Sequence, residues 1–315
     1  MLTKSILEKE IALLIPCYNE AQTIQKVIKD FRQEIPGLKI YIYDNNSTDN
    51  TADLAHQENA IVRHEYKQGK ANVVRSMFRN IDADIYIMVD GDDTYPAAQI
   101  KSLLKPLEED YYFMIIGDRL TNGTYASENS RSFHQFGNNL VKLLINKLFN
   151  TNLKDIMTGY RVFRREFVKS YPVLCKGFEL ETEMTIFALH NNLPILEVPI
   201  DYKERPEGSF SKLNTFKDGF RVILTIFNLF RHYRPFLFFT SIALFFFISS
   251  LAIGFPVVRE YIEFKYIYKV PSAVLASGLS IFALISFAIG LILDTISNID
   301  RKNFEINLNR SFNKK

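Results

Sequence analysis

Two stretches near the C-terminal end of the chain, residues 236–258 and 272–293, are apolar and contain no charged side chain. Each is long enough to cross about 30 Å of hydrocarbon as a helix. Neither carries the polar stripe that a core helix of a soluble protein turns to water. The pattern favours a transmembrane hairpin over a pair of buried core helices. Pro235 and Pro271 stand near the start of each stretch, where a missing N–H costs a helix least.

The flanks suggest an orientation. Arg221, Arg231 and Arg234 precede the first stretch, and Arg301, Lys302, Arg310, Lys314 and Lys315 follow the second. The short connection holds Arg259, Lys265 and Lys269. The excess of positive charge on the outer flanks favours both on the cytoplasmic side. Residues 1–10 are polar and the apolar run 11–15 is too short for a secretory signal, so a cytoplasmic soluble part is expected. The two cysteines, Cys17 and Cys175, make no disulfide framework and suit a reducing compartment. A net charge of +3 over 315 residues is too small to argue for nucleic acid.

Before the hairpin, Phe216, Phe220, Ile223, Phe227 and Phe230 recur at helical spacing among Lys217, Arg221 and Arg231. That pattern predicts an amphipathic helix over 213–234, lying on the membrane surface or packed on the soluble domain. The expected organisation is a catalytic domain over 1–212, this helix, a two-span region over 235–294 and a tail over 295–315.

The first 210 residues alternate. Residues 11–15, 39–43, 60–64, 84–89 and 112–116 are short, apolar or β-rich, and helix-like stretches such as 21–31 and 70–80 lie between them. Alternation of this kind predicts an α/β fold with a mostly parallel sheet and helices on both faces. Ligands then gather at the carboxyl ends of the strands, where the polar motifs fall. The first strand runs into Pro16-Cys17-Tyr18-Asn19-Glu20 and the second into Asp44-Asn45-Asn46-Ser47-Thr48-Asp49. Small polar side chains there can bind a base and ribose, or simply cap the next helix. The fourth strand runs into Asp90-Gly91-Asp92-Asp93, and clustered carboxylates suit a hard cation such as Mg²⁺ or Mn²⁺ shared with substrate phosphates. Gly91 allows a tight turn between them.

Taken with Gly69-Lys70-Ala71, Gly117-Asp118-Arg119, Thr158-Gly159-Tyr160-Arg161 and Arg205-Pro206-Glu207-Gly208-Ser209-Phe210-Ser211-Lys212, these motifs resemble family 2 glycosyltransferases of the GT-A fold. With the two-span tail, the chain is similar to the dolichol-phosphate mannose synthase and polyprenyl-phosphate glycosyltransferase group. The resemblance implies an inverting, metal-dependent transfer of a sugar from a nucleotide-sugar, UDP-linked in preference to GDP-mannose, onto undecaprenyl or dolichyl phosphate. It places Pro16, Tyr18, Asn19, Glu20, Asp44, Asn46, Ser47, Lys70, Asp90 and Gly91 around the donor. It makes Asp90 and Asp92 metal ligands, with Asp92 the stronger. It sets Arg119, Arg131, Arg205, Ser211 and Lys212 toward phosphate, Arg119 and Arg131 with catalytic weight. Relatives of the dolichol type carry Gln where this chain has Thr94, which puts a ligand role for Thr94 in doubt. Similar enzymes can associate through their hairpins.

The acceptor in this reading is a phosphate monoester with a second pKa of about 6, so it needs no general base. The acidic run Glu179, Glu181 and Glu183 is therefore expected to position rather than to abstract a proton. Three other readings compete. A processive polysaccharide synthase needs a Gln-x-x-Arg-Trp motif, and the chain has no Trp. A transferase acting on a lipid hydroxyl such as diacylglycerol needs a base, which would be Glu181 or Glu183. A non-catalytic scaffold would not need the paired carboxylates.

Overall fold

A computed structural model describes residues 6, 8–109, 111–123, 132–173, 180–203, 227–228 and 230–312, with 132–138, 311 and 312 as backbone only. The chain divides into two compact units, Met1–Gly219 with Arg310–Lys315, and Phe220–Asn309.

The first unit is built on a seven-stranded sheet: β1 (Ile11–Cys17), β2 (Lys39–Asp44), β3 (Ile61–His64), β4 (Ile85–Met88), β5 (Met114–Asp118), β6 (Arg161–Arg164) and β7 (Ile195–Pro199). Their order across the sheet is β3-β2-β1-β4-β6-β5-β7. Pairing is parallel except around β6, which runs antiparallel to both β4 and β5. The five strands read from the sequence are all present; β6 and β7 are additions to that reading.

β1 is apolar throughout because it lies in the interior of the sheet and is covered on both faces. On one face Ile11, Leu13, Ile15, Ile40, Ile42, Ile85 and Ile87 share a core with Ile24, Val27, Ile28 and Phe31 of helix α1 (Ile24–Glu34). The opposite face carries Tyr86 and Phe163, which pack edge-on against Phe78 of helix α3 (Lys70–Asn80). Helix α2 (Thr51–Gln57) joins β2 to β3, and the short α4 (Ile100–Leu104) precedes β5. Helix α5 (Ser132–Phe149) leads toward β6, α6 (Arg165–Ser170) follows it, and α7 (Leu180–His190) precedes β7. Each buried aliphatic or aromatic side chain here is worth about 1.5–3 kcal/mol relative to exposure, so the two-faced core dominates the stability of this unit.

β1, β2 and β4 are neighbours that point the same way, so Cys17, Asp44 and the turn after Met88 emerge side by side. β1 is followed by a crossover to β2 on one side and pairs with β4 on the other, which opens a crevice at the carboxyl ends of β1 and β4.

The second unit is a helical hairpin of α8 (Pro235–Phe264) and α9 (Val270–Phe312). Both have windows of mean hydropathy 2.3, long and apolar enough to cross a membrane. Small residues bring them together. Ser250 Oγ donates to the Ala276 carbonyl at 2.7 Å and meets Ser280 Oγ at 2.7 Å. A Cβ on Gly254 would lie 3.4 Å from that of Ala276, and one on Gly290 would lie 3.0 Å from that of Phe239. Close backbone approach of this kind is how helices associate where lipid tails are as apolar as the side chains. Phe245, Phe255, Val274 and Leu284 turn outward, each more than half exposed, a surface suited to lipid. The segment expected as a tail is helical as far as Phe312, since α9 continues without a break from the apolar stretch. Most of the expected amphipathic helix lies outside the described residues.

Candidate active site

The loops after β1 and β2 are stitched to each other. Asn19, at φ 56°, donates its N–H to Ser47 Oγ at 2.9 Å, and its side-chain oxygen accepts from the Thr48 N–H at 2.8 Å. The Glu20 N–H donates to Thr51 Oγ1 and the Ala21 N–H to Asp49, at 2.9 and 3.1 Å. Neither Asn19 nor Ser47 caps a helix; the first residues before α1 and α2 are Thr23 and Asn50. The capping alternative for Asn19 and Ser47 is therefore replaced by an interlock between the two loops. Asn46, at φ 62°, extends it to the next loop by donating to the Tyr66 carbonyl at 3.0 Å.

Asp44 ends β2 almost fully buried. Its Oδ2 accepts from the Ser47 N–H at 3.2 Å, while Oδ1 is buried with no hydrogen-bond partner among the described residues. A buried acceptor left open at a strand exit is suited to a ligand donor. Asn45 beside it receives the Gly69 N–H at 2.7 Å and donates to the carbonyls of Glu65 and Lys67. That bond holds Gly69 at φ 122°, a conformation glycine adopts without strain, and delivers Lys70 at the first turn of α3.

Lys70 reaches two carboxylates. Its Nζ lies 2.6 Å from Asp90 Oδ1 and 2.7 Å from Glu181 Oε1. Burial alone would lower the Lys70 pKa, but Asp90 and Glu181 more than offset that and hold it above the ordinary lysine range, so it is charged. Asp90 is backed by Gly159: a Cβ there would come 2.5 Å from Asp90 Oδ2. Gly159 is in turn fixed by its N–H, which donates to the Tyr95 hydroxyl at 2.9 Å.

Gly91 serves a close approach as well. A Cβ on it would meet Cys17 Sγ at 3.1 Å and Ile15 Cγ2 at 3.4 Å, so a side chain here would press the β4 turn away from β1 by a few tenths of an ångström. Thr23 Oγ1 donates to the Gly91 carbonyl at 2.6 Å. Cys17 packs behind this turn, where burial and the surrounding carboxylates push its thiol well above the usual range; it is an inert core residue. Asp92 is buried, and Thr94 Oγ1 donates to its Oδ1 at 2.6 Å. Thr94 thus serves as a support for Asp92. Asp93 turns away to Lys26.

Arg119 forks onto Asp155, with Nε 2.7 Å from Oδ2 and a terminal nitrogen 2.9 Å from Oδ1, and lies 5.5 Å from the Tyr202 ring centroid. Arg161 is fully buried, with no carboxylate bonded directly to it among the described residues. It donates to the carbonyls of Thr158 and Ile156 and to Thr185 Oγ1, whose own hydroxyl proton goes to the Glu181 carbonyl. Burial lowers its pKa to about 10, still charged at neutral pH. It ties the Gly159 turn to α7, the helix that carries Glu181. The sequence reading missed Asp155, Tyr95 and this role of Arg161. Arg161 was visible as part of a motif, but nothing in spacing marks Asp155 or Tyr95. Arg131, Arg205, Ser211, Lys212 and Glu179 lie outside the described residues.

No group of three or more His, Cys, Asp or Glu that could hold a metal is present among the described residues. The donor set fits a looser mode. Hard cations shared with substrate phosphates usually take only one or two carboxylates from a protein, and Asp90 and Asp92 are the carboxylates this turn offers.

The sequence profile of Glycosyl transferase family 2 matches residues 12–171, just over half of the chain. The chain belongs to that family. Glycosyltransferase AglJ of Haloferax volcanii is 29% identical over 94% of this chain and 96% of its own. A dolichyl-phosphate hexose transferase of the same organism is 29% identical over 67% of this chain and 89% of its own. Among solved structures, glucosyl-3-phosphoglycerate synthase from Mycobacterium tuberculosis, in complex with Mn²⁺, UDP-glucose and phosphoglyceric acid, matches with a TM-score of 0.56. It is 18% identical over 70% of this chain and 80% of that one, which supports the GT-A-like α/β fold alone. This family-2 glycosyltransferase thus joins a GT-A-like sheet to two long apolar helices.

Proposed function

We propose that this glycosyltransferase moves a hexose from a nucleotide-diphosphate sugar, UDP-linked in preference to GDP-linked, onto a polyprenyl phosphate at a membrane. The carrying observation is the convergence, at the carboxyl ends of neighbouring strands, of an open buried acceptor, Asp44, with the carboxylates Asp90 and Asp92. The dolichyl-phosphate relative supports the acceptor and the UDP-glucose complex of the fold neighbour supports the donor. The two apolar helices would hold the domain at the bilayer, where the acceptor chain resides.

In this reading Asp44 accepts from the nucleoside, and Asn19, Ser47 and Asn46 keep its pocket in shape. Asp90 and Asp92 would hold Mg²⁺ or Mn²⁺, which neutralises the donor diphosphate and helps it leave. The acceptor phosphate is already a dianion near neutral pH, so no residue has to remove a proton. That Glu181 is tied to Lys70 and Glu183 accepts from the Tyr171 hydroxyl at 2.9 Å fits a role in positioning. Arg119, anchored by Asp155, contributes fixed positive charge, and Arg131, Arg205, Ser211 and Lys212 are assigned to the acceptor phosphate. Attack from the face opposite the leaving group inverts the anomeric carbon.

The test is transfer by the detergent-purified full chain with Mn²⁺, undecaprenyl phosphate and a panel of UDP- and GDP-sugars, read by mass spectrometry. A lipid-linked sugar is expected, reduced at least about 100-fold in Asp92→Ala. Sugar appearing on diacylglycerol and never on the polyprenyl phosphate would contradict the proposal.

A further inference from the structure

Lys70 occupies an unusual place for a residue expected near a diphosphate. Its ammonium sits between two carboxylates, 2.6 Å from Asp90 and 2.7 Å from Glu181, with its side chain only 20% exposed. Asp90 has little room to turn away, since its other oxygen lies against the backbone of Gly159. Glu181 is equally committed. It is buried on the first turn of α7, and the adjoining turn of that helix is held by Arg161 through Thr185. A cation approaching Asp90 therefore meets a carboxylate whose charge is already compensated by a covalently attached ammonium.

We propose that Lys70 is a built-in counter-ion that masks Asp90 until the donor arrives, with Glu181 as its fixed anchor, so that divalent metal and nucleotide-sugar enter together and Asp90 takes no metal beforehand. The inference rests on the donor and metal reading above and adds an order of events to it. A diphosphate offers the ammonium a second anionic partner. Lys70 can then shift from Asp90 toward phosphate while keeping Glu181, which would otherwise be left as a buried carboxylate without a counter-ion. Asp90 is released to act as a ligand only when phosphate oxygens are present to complete the shell. The device also guards the pocket from binding metal without substrate. Binding of metal and of nucleotide must then be reciprocally coupled, because each removes the same obstacle for the other.

The experiment is Mn²⁺ binding to the detergent-solubilised full chain, followed by the paramagnetic resonance signal of free Mn²⁺, with no nucleotide, with UDP and with GDP. The proposal expects weak binding to the wild type alone and at least about tenfold tighter binding with the preferred nucleotide. In Lys70→Met, Mn²⁺ alone should bind at least about tenfold tighter than in the wild type, and the effect of nucleotide should shrink. Because Lys70→Met leaves two carboxylates facing one another, the double variant Lys70→Met/Glu181→Gln, which lowers that repulsion, is measured in parallel and should show the same uncoupling. If Mn²⁺ alone binds wild type and both variants equally while nucleotide still binds, the masking role is overturned and the donor reading stands. If the wild type binds Mn²⁺ neither alone nor with either nucleotide, the metal reading falls and the masking role with it.

Discussion

At the scale of single residues, the site depends on close approaches and buried charge more than on any one exposed group. Gly159 illustrates the first. An alanine there would push its Cβ to 2.5 Å from Asp90 Oδ2, and Asp90 is pinned from the other side by Lys70. Gly159→Ala should lower the transfer rate at least about tenfold while overpacking costs about 1–3 kcal/mol of stability, measured as turnover and thermal midpoint on the same preparation. Asp155 illustrates the second. Burial raises its pKa, but the Arg119 fork more than offsets this and holds the carboxyl below the usual range. A depressed carboxyl contributes stability that is present above its unfolded pKa, about 3.9, and is lost as pH falls through the folded value. Asp155→Asn should therefore cost about 3–5 kcal/mol at neutral pH, because it removes the buried negative charge that Arg119 forks onto, and the gap from wild type should narrow below about pH 4. Thermal midpoints across that range check both statements. Lys70 entered through the family resemblance, and the polar clusters that hold Asp44, Asp90 and Asp92 were legible in the sequence as motifs at strand exits. Asp155 and Tyr95 were not, since their partners lie 36 residues away for the Asp155–Arg119 bond and 64 away for the Tyr95–Gly159 bond.

At the scale of elements, legibility follows burial pattern. β1, β2, β4 and β5 are interior strands with apolar runs, and the sequence reads them directly. β6 is Arg161-Val162-Phe163-Arg164, framed by two arginines, and reads as polar. It is a strand all the same because Arg161 finds carbonyl and hydroxyl partners in the core. Arg164 donates to the carbonyls of Tyr112 and Leu107, at 2.6 Å each. Reversal of β6 between two parallel neighbours is a long-range pairing that no local pattern announces. In the hairpin the apolar runs were plain, but they locate hydrophobic stretches and not helix ends. α9 runs on to Phe312 because the chain beyond Leu293 has neither proline nor glycine to stop it. The contact between α8 and α9 depends on Ser250, Gly254, Ala276, Ser280 and Gly290. Gly254→Leu should force the helices apart at Ala276 and lower the thermal midpoint of the detergent-solubilised chain, whereas Leu251→Ala, on an exposed position, should leave it nearly unchanged.

At the scale of the whole molecule, a transferase unit with its candidate polar site at the carboxyl ends of its sheet strands is carried on the same chain as a hairpin whose outward surface is apolar. The protein should accordingly stay with the membrane fraction after alkaline or high-salt washing and leave it only in detergent, as judged by sedimentation. On the proposed acceptor, a phosphate dianion, the chemistry would need alignment and charge compensation and no base, unlike transfer to a hydroxyl. The central claim is that the sugar ends on phosphate, and the linkage of the product tests it most directly. Product made from undecaprenyl phosphate should show its phosphorus by magnetic resonance as a diester bearing the sugar, with the sugar freed by mild acid. A product whose phosphorus remains a monoester, or whose sugar is held in an acid-stable glycoside on a lipid hydroxyl, would contradict the account and return Glu181 and Glu183 to consideration as a catalytic base.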